Sequence, residues 1–174
     1  VRVQNVAPDG TPMVDASGNP VYTYLGELTR TVVTSDGMGG TVTQTLPDKV
    51  KAIAAGEDHM VALTQSGKVY TWGRNNLGQL GYAPGTPYST VAKHVAIQLP
   101  DDTGAMQDVE IVGIAAGTGH TLALSLEGQV WGWGSNVYGQ RGTQDQPSSD
   151  AASVNVVPRR VVGHLGENFL ENIV

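Results

Sequence analysis

The chain has 174 residues, ten Lys or Arg against sixteen Asp or Glu, and a formal net charge of −6. With Arg159-Arg160 as its only adjacent basic pair, it lacks the clustered cations that grip a phosphate backbone, so nucleic acid is not expected as a partner. There is no cysteine for disulfides, thiolate metal sites or nucleophiles, no apolar run approaches the roughly 20 residues of a membrane span, and 23 glycines beside one phenylalanine suit an all-β chain of short strands and tight turns.

The first element, Val1-Arg2-Val3, reads as the end of a strand. Residues from about 7 to 48 then read as an insertion, because the equivalent stretch takes 47 residues from Val3 to Val50 but only 16 from Val95 to Ile111 and 12 from Val161 to Ile173. Within it Val21–Leu25, Thr29–Thr34 and Thr41–Thr45 are rich in β-branched and aromatic residues, and Ser35-Asp36-Gly37-Met38-Gly39-Gly40 is a turn sequence. A β-hairpin is expected there.

From Val50 onward the chain repeats itself. Ala54-Ala55-Gly56, His59, Ala62-Leu63, Gly67, Trp72-Gly73, Asn75, Gly78-Gln79 and Gly81 return, shifted by 61 residues, as Ala115-Ala116-Gly117, His120, Ala123-Leu124, Gly128, Trp133-Gly134, Asn136, Gly139-Gln140 and Gly142. In each copy an apolar run of six residues, His59–Thr64 or His120–Ser125, ends in a glycine turn and is followed by a second strand, Val69–Trp72 or Val130–Trp133. Such a period indicates units that bury their apolar faces on their neighbours.

The pattern A-A-G-x-x-H-x-x-A-L, G-x-V, W-G-x-N-x-x-G-Q-x-G resembles the repeat of the regulator of chromosome condensation family. The resemblance implies blades of four antiparallel strands from a β-propeller, seven-bladed in most members. It divides the chain into the end of an upstream repeat with its insertion (1–49), two blades (50–110 and 111–172) and the opening of a further repeat (173–174). The chain is thus expected to start and stop in mid-repeat, as a segment of a longer array, or else to close a ring by self-association.

Trp72 and Trp133 are expected between adjacent blades, since one large ring per repeat can bury much of the contact. His59 and His120, equivalent in the two copies, read as hydrogen-bonded packing residues, and no H-E-x-x-H or carboxylate pair suggests a metal. Gly56, Gly117, Asn75, Asn136, Gly78 and Gly139 belong to turns. No catalytic elbow or phosphate loop is present, so neither catalytic residues nor cofactor are expected. Light sensing, which in this family relies on a tryptophan cluster with a Gly-Trp-Arg-His-Thr stretch, is not implied, because that stretch is missing.

Function is expected where the copies differ, since loops on a rigid scaffold carry specificity. The variable positions are Glu57, Asp58, Arg74, Asn76 and Leu77 in one copy and Thr118, Val137 and Tyr138 in the other, with Tyr22 and Tyr24 in the insertion. They suggest a binding face for a partner protein, and the acidic, cysteine-free, Thr/Gly-rich composition suggests a bacterial surface or secreted protein. Two other readings are carbohydrate or cell-wall binding through the exposed tyrosines, and guanine-nucleotide exchange on a small GTPase, as in the family's founding member.

Overall fold

A computed structural model describes residues 2–4, 22–24, 29–35, 40–82, 86–143, 157–163, 169 and 173. The chain divides into two compact units, Val1–Lys49 and Val50–Val174. In the first, β1 (Arg2–Gln4) pairs antiparallel with β2 (Tyr22–Tyr24), and β3 (Thr29–Ser35) pairs with β4 (Thr41–Pro47) from Thr29↔Pro47 to Ser35↔Thr41.

The second unit holds two four-stranded antiparallel sheets. Blade 1 is β5 (Val50–Ala55), β6 (His59–Thr64), β7 (Val69–Arg74) and β8 (Tyr88–Val95). A short hairpin follows, β9 (Gln98–Pro100) with β10 (Met106–Asp108). Blade 2 is β11 (Ile111–Ala116), β12 (His120–Ser125), β13 (Val130–Gly134) and β14 (Arg159–Arg160). Sheet order equals chain order in both, as in a meander of hairpins, and both carry a register shift early in the first strand, between Val50 and Ala52 and between Ile111 and Gly113.

The blades stack, and the stacking decides burial. On β6, His59, Val61 and Leu63 are 2%, 0% and 0% exposed, whereas their repeat equivalents His120, Leu122 and Leu124 on β12 are only half-buried. The residue types are nearly the same, so the difference lies in what covers them: blade 2 lies against that face of β6. The shared core contains Val61, Leu63, Val69, Val95, Ile97, Ile111, Trp131 and Trp133. Each fully buried Val or Leu contributes about 1.5–3 kcal/mol relative to exposure.

The turn between β6 and β7 is a second seam. The amide of Ile111 donates to the carbonyl of Gly67 (3.0 Å), and one repeat later the amide of Ile173 donates to Gly128 (3.2 Å). Gly67 has φ of 79°, and a Cβ there would lie 2.5 Å from Glu110 Cγ and 2.9 Å from the Ile111 nitrogen. Gly104, in the β9–β10 turn, has φ of 83° with nothing within 4 Å of a Cβ.

The two glycines separate backbone strain from blade contact. Gly104→Ala is expected to cost about 1–2 kcal/mol, the penalty for a left-handed non-glycine residue. Gly67→Ala is expected to lose about 1–3 kcal/mol more through overpacking of the seam. Equilibrium denaturation of both variants measures the difference.

Candidate functional site

Blade 1 and blade 2 are joined by a polar chain inside the apolar seam. Gln79, 1% exposed, lies in the turn that follows β7, and its backbone carbonyl accepts from Trp133 Nε1 at 3.0 Å and from Thr121 Oγ1 at 3.1 Å. The Thr121 hydroxyl proton is committed to that carbonyl, so the 2.9 Å contact between His59 Nε2 and Thr121 Oγ1 is a bond donated by the imidazole. This leaves the proton of His59 on Nε2, and the buried Nδ1 has no partner among the described residues. Gly56 makes room for the ring, since a Cβ there would collide with His59 Cε1, and Gly117 does the same for His120.

The turn itself is braced by its fixed residues. Asn75 Oδ1 accepts from the Leu80 amide (3.1 Å), and Asn75 Nδ2 donates to the Tyr82 carbonyl (3.2 Å). Asn136 Oδ1 accepts from the Arg141 amide at the same 3.1 Å. The amides of Gly78 and Gly139 donate to the carbonyls of Asn75 and Asn136. Gln79 Oε1 and Gln140 Oε1 take the amides of Leu77 and Tyr138, both at 2.8 Å. One turn is therefore built twice; in blade 1 it presents the Gln79 carbonyl toward blade 2, and Arg74, Asn76, Val137 and Tyr138 are its exposed variable side chains.

The variable positions gather at the end of the blades where β6 and β12 begin and β7 and β13 finish. The amides of Arg74 and Ser135 donate to the carbonyls of Asp58 and Gly119, both at 2.8 Å. Arg74 and Asp58 also form an ion pair at 2.9 Å, with side chains 55% and 48% exposed. Such a pair adds little stability, about 0–1 kcal/mol. Glu57, Asn76, Thr118, Val137 and Tyr138 are exposed, Tyr138 by 90%.

Leu77 is placed differently from the other variable residues. A Cβ on Gly119 would lie 2.7 Å from Leu77 Cδ1, so Leu77 lies on the neighbouring blade and is half-buried. Trp72 is also half-buried, while Trp133 is fully buried. Tyr22 and Tyr24 lie on β2, and their side chains fall outside the described residues, as does His164.

Sequence reasoning passed over Tyr88. The β7–β8 register pairs it with Arg74, and it is 63% exposed at this same end. No repeat signal marks it, because it lies outside the stretch that recurs.

Among the described residues no group of three or more His, Asp or Glu side chains could hold a metal ion, and no helix is long and apolar enough to cross a membrane. The carboxyl of Asp101, at the tip of the β9–β10 hairpin, is held below the usual carboxylate range by its bonds from Thr103, Ala105 and Gln107. It orders the hairpin turn.

Burial lowers the pKa of His59, helped by repulsion from His120 and opposed by Asp58. Burial also lowers His120 and His94, with Asp108 opposing the shift at His94 and Lys68 adding to it. A histidine with a lowered folded pKa binds its proton more readily unfolded, so the stability it lends is present above about pH 6.5, the unfolded value. It is lost as the pH falls from there toward the folded values. The melting temperature is therefore expected to fall between pH 7.5 and pH 5 (conditions bracketing about 6.5), less steeply in His59→Asn. Thr121→Val, which strands the His59 N–H in the seam, is expected to cost about 1–3 kcal/mol at neutral pH. A pH series of thermal and denaturant melts checks both.

Comparison with known proteins agrees with this architecture. The sequence profile of the Regulator of chromosome condensation (RCC1) repeat matches residues 66–124 and 127–173, and a second profile of the same repeat matches 50–79 and 111–140. The chain is 36% identical over 121 residues to the Ultraviolet-B receptor UVR8 of Arabidopsis thaliana, covering 70% of this chain and 24% of that protein. It is 33% identical over 99 residues to the human Probable E3 ubiquitin-protein ligase HERC3, covering 57% of this chain and 9% of the ligase. Among solved structures, that of Prp20p from Saccharomyces cerevisiae, described with its binding to Gsp1p and histones, superposes with a TM-score of 0.50 at 30% identity, over 68% of this chain and 28% of that one.

The chain thus spans 28% or less of the length of each of these relatives. Its two meander sheets, their glycine turns and their interblade tryptophan coincide with the matched repeats, and the chain belongs to the Regulator of chromosome condensation (RCC1) repeat family.

Proposed function

We propose that this chain is a non-catalytic scaffold whose partner protein docks on the loop end of blades 1 and 2. The observation that carries the reading is the composition of that end: Tyr88 and Tyr138, 63% and 90% exposed, accompany the half-exposed Arg74–Asp58 ion pair, with Glu57, Asn76, Thr118 and Val137 around them. Tyrosine and arginine supply much of the energy of protein interfaces, and a polar surround excludes water from them. Family membership supports the same reading, since RCC1-repeat propellers are in general protein-interaction modules.

The β3–β4 hairpin is the second proposed contact, as an insertion into the repeat array. A two-stranded ribbon is marginal by itself in water, and Val33 and Leu46 are 61% and 36% exposed on it. A partner that covers these residues or adds a strand to the ribbon supplies the missing burial. The relatives reported above are plant, human and yeast proteins, so the bacterial, exported setting rests on composition alone.

A photo-crosslinking residue at Asn76 or Thr118 of the intact protein is expected to capture one discrete protein, and the same residue at Glu127, in the turn at the other end of blade 2, is not. Tyr88→Ala and Tyr138→Ala are then expected to weaken that complex by about tenfold or more each, as hot-spot truncations do, with unchanged circular dichroism. Equal capture from Glu127, or affinity untouched by both substitutions, contradicts the proposal.

A further inference from the structure

Blade 1 holds a socket for an indole, and blade 2 holds the same socket again. In blade 1 it consists of Gly81, Val95 and the Gln79 carbonyl. A Cβ on Gly81 would lie 2.8 Å from Val95 Cγ1 and 2.9 Å from Trp133 Nε1, so the absent side chain is what admits the Trp133 ring, whose N–H reaches the carbonyl at 3.0 Å. In blade 2 the equivalents are Gly142, Val161 and the Gln140 carbonyl. A Cβ on Gly142 would lie the same 2.8 Å from Val161 Cγ1, but its three nearest neighbours are all atoms of Val161. The Gln140 carbonyl takes no hydrogen bond among the described residues.

The face around the second socket is open. Gln79 and Gly81 are buried, whereas Gln140 and Gly142 are half-buried. Ala115 lies opposite Leu122 on this face and is exposed, while its equivalent in blade 1, Ala54, packs against the shared core. Covering Leu122 and Leu124 would remove apolar surface from water, as blade 2 does for Val61 and Leu63.

The chain also carries the indole that fits. Trp72 lies opposite Met60 on β6 as Trp133 lies opposite Thr121 on β12. Side chains alternate across a strand, so Trp72 and Met60 stand on the face of blade 1 turned away from blade 2, opposite to His59, Val61 and Leu63. Trp72 is half-buried, and its N–H makes no hydrogen bond among the described residues. Beside it Ile53, opposite Ala62, is 68% exposed, whereas its equivalent Ile114 packs against the shared core. Socket and indole thus lie on the two outward faces of the stacked pair, and a second copy is needed to bring them together.

We propose that copies of this chain associate head to tail, blade 1 of one copy seated on blade 2 of another, with Trp72 in the Gly142–Val161 socket and its N–H on the Gln140 carbonyl. The contact continues the blade 1–blade 2 seam by one repeat, and it joins two different surfaces, so it is heterologous and leaves a free face at each end. One residue breaks the match. Met60 stands where Thr121 stands in the existing seam, so the His120 N–H and the Gln140 carbonyl meet a weakly accepting sulfur in place of a hydroxyl. The copy-to-copy seam is therefore weaker than the one inside the chain. The inference goes beyond the loop-end reading and uses none of its residues.

The test is the solution mass of the 174-residue chain by sedimentation equilibrium, from about 1 μM to about 1 mM, the span of moderate to weak complexes. The mass is expected to rise with concentration. Ile53→Glu and Ala115→Glu, both at exposed positions, are each expected to stay monomeric with unchanged circular dichroism. Mixed together they are expected to form a 1:1 pair, because the first keeps an intact blade 2 face and the second an intact blade 1 face. Met60→Thr, which restores the hydroxyl of the existing seam, is expected to tighten association about tenfold, the worth of one or two net hydrogen bonds. A monomer at every concentration, association that survives either glutamate, a mixture of the two variants that does not pair, or Met60→Thr with unchanged or weaker association overturns the proposal.

Discussion

One backbone carbonyl organises the described blades. Gln79 offers its C=O to the neighbouring blade, which returns two hydrogens, one from the Trp133 indole and one from the Thr121 hydroxyl. Around it Trp133 and Leu80 are 0% exposed, so the bonds form where water does not compete. A polar group in such a place is strongly stabilising when satisfied and costly when not. The seam therefore specifies how the blades meet as well as holding them: a slip along the seam would leave four buried polar groups, the Gln79 carbonyl, the Trp133 and His59 N–H groups and the Thr121 hydroxyl, without partners.

The rest of each blade follows from that requirement. The turn after β7 must be rigid enough to aim the Gln79 carbonyl, and Asn75 and the Gln79 side chain brace it through bonds to backbone amides. The imidazole of His59 needs the space that Gly56 leaves, and its bond to Thr121 fixes it as the neutral Nε2–H form. The exposed residues Asn76, Val137 and Tyr138 meet no such demand, which is why these places vary between the copies. Constraint inside and freedom outside arise from the same turn.

Much of the fold was legible in the sequence because the residues with no substitute recur at a fixed spacing. Glycine at left-handed turns and asparagine at the turn mark both blades, with Trp133 in the seam between them, and the turn glycines Gly67 and Gly128 have φ of 79° and 75°. The β9–β10 hairpin was not read from the sequence, although Asp101-Asp102-Thr103-Gly104 is a turn whose Asp101 Oδ1 accepts from the Thr103 and Ala105 amides. It occurs once, and repeat-based reasoning is blind to what occurs once. The candidate site was legible only in outline. Variation marks a position as unconstrained by its own blade, but Leu77 meets Gly119 of the next blade, 42 residues away, and Tyr88 joins Arg74 only through strand pairing. Both placements depend on contacts distant in sequence, and neither leaves a local pattern.

The polar seam makes blades 1 and 2 one cooperative body. Native-state hydrogen exchange of the chain tests it most directly, because the Ile111 amide bonded to Gly67 across the seam and the strand amides within each blade report on separate openings. The account predicts that the amides of β6, β7, β12 and β13 and that of Ile111 share one opening free energy and the same denaturant dependence. Exchange of β6 and β7 with a free energy and slope distinct from those of β12 and β13 would contradict it.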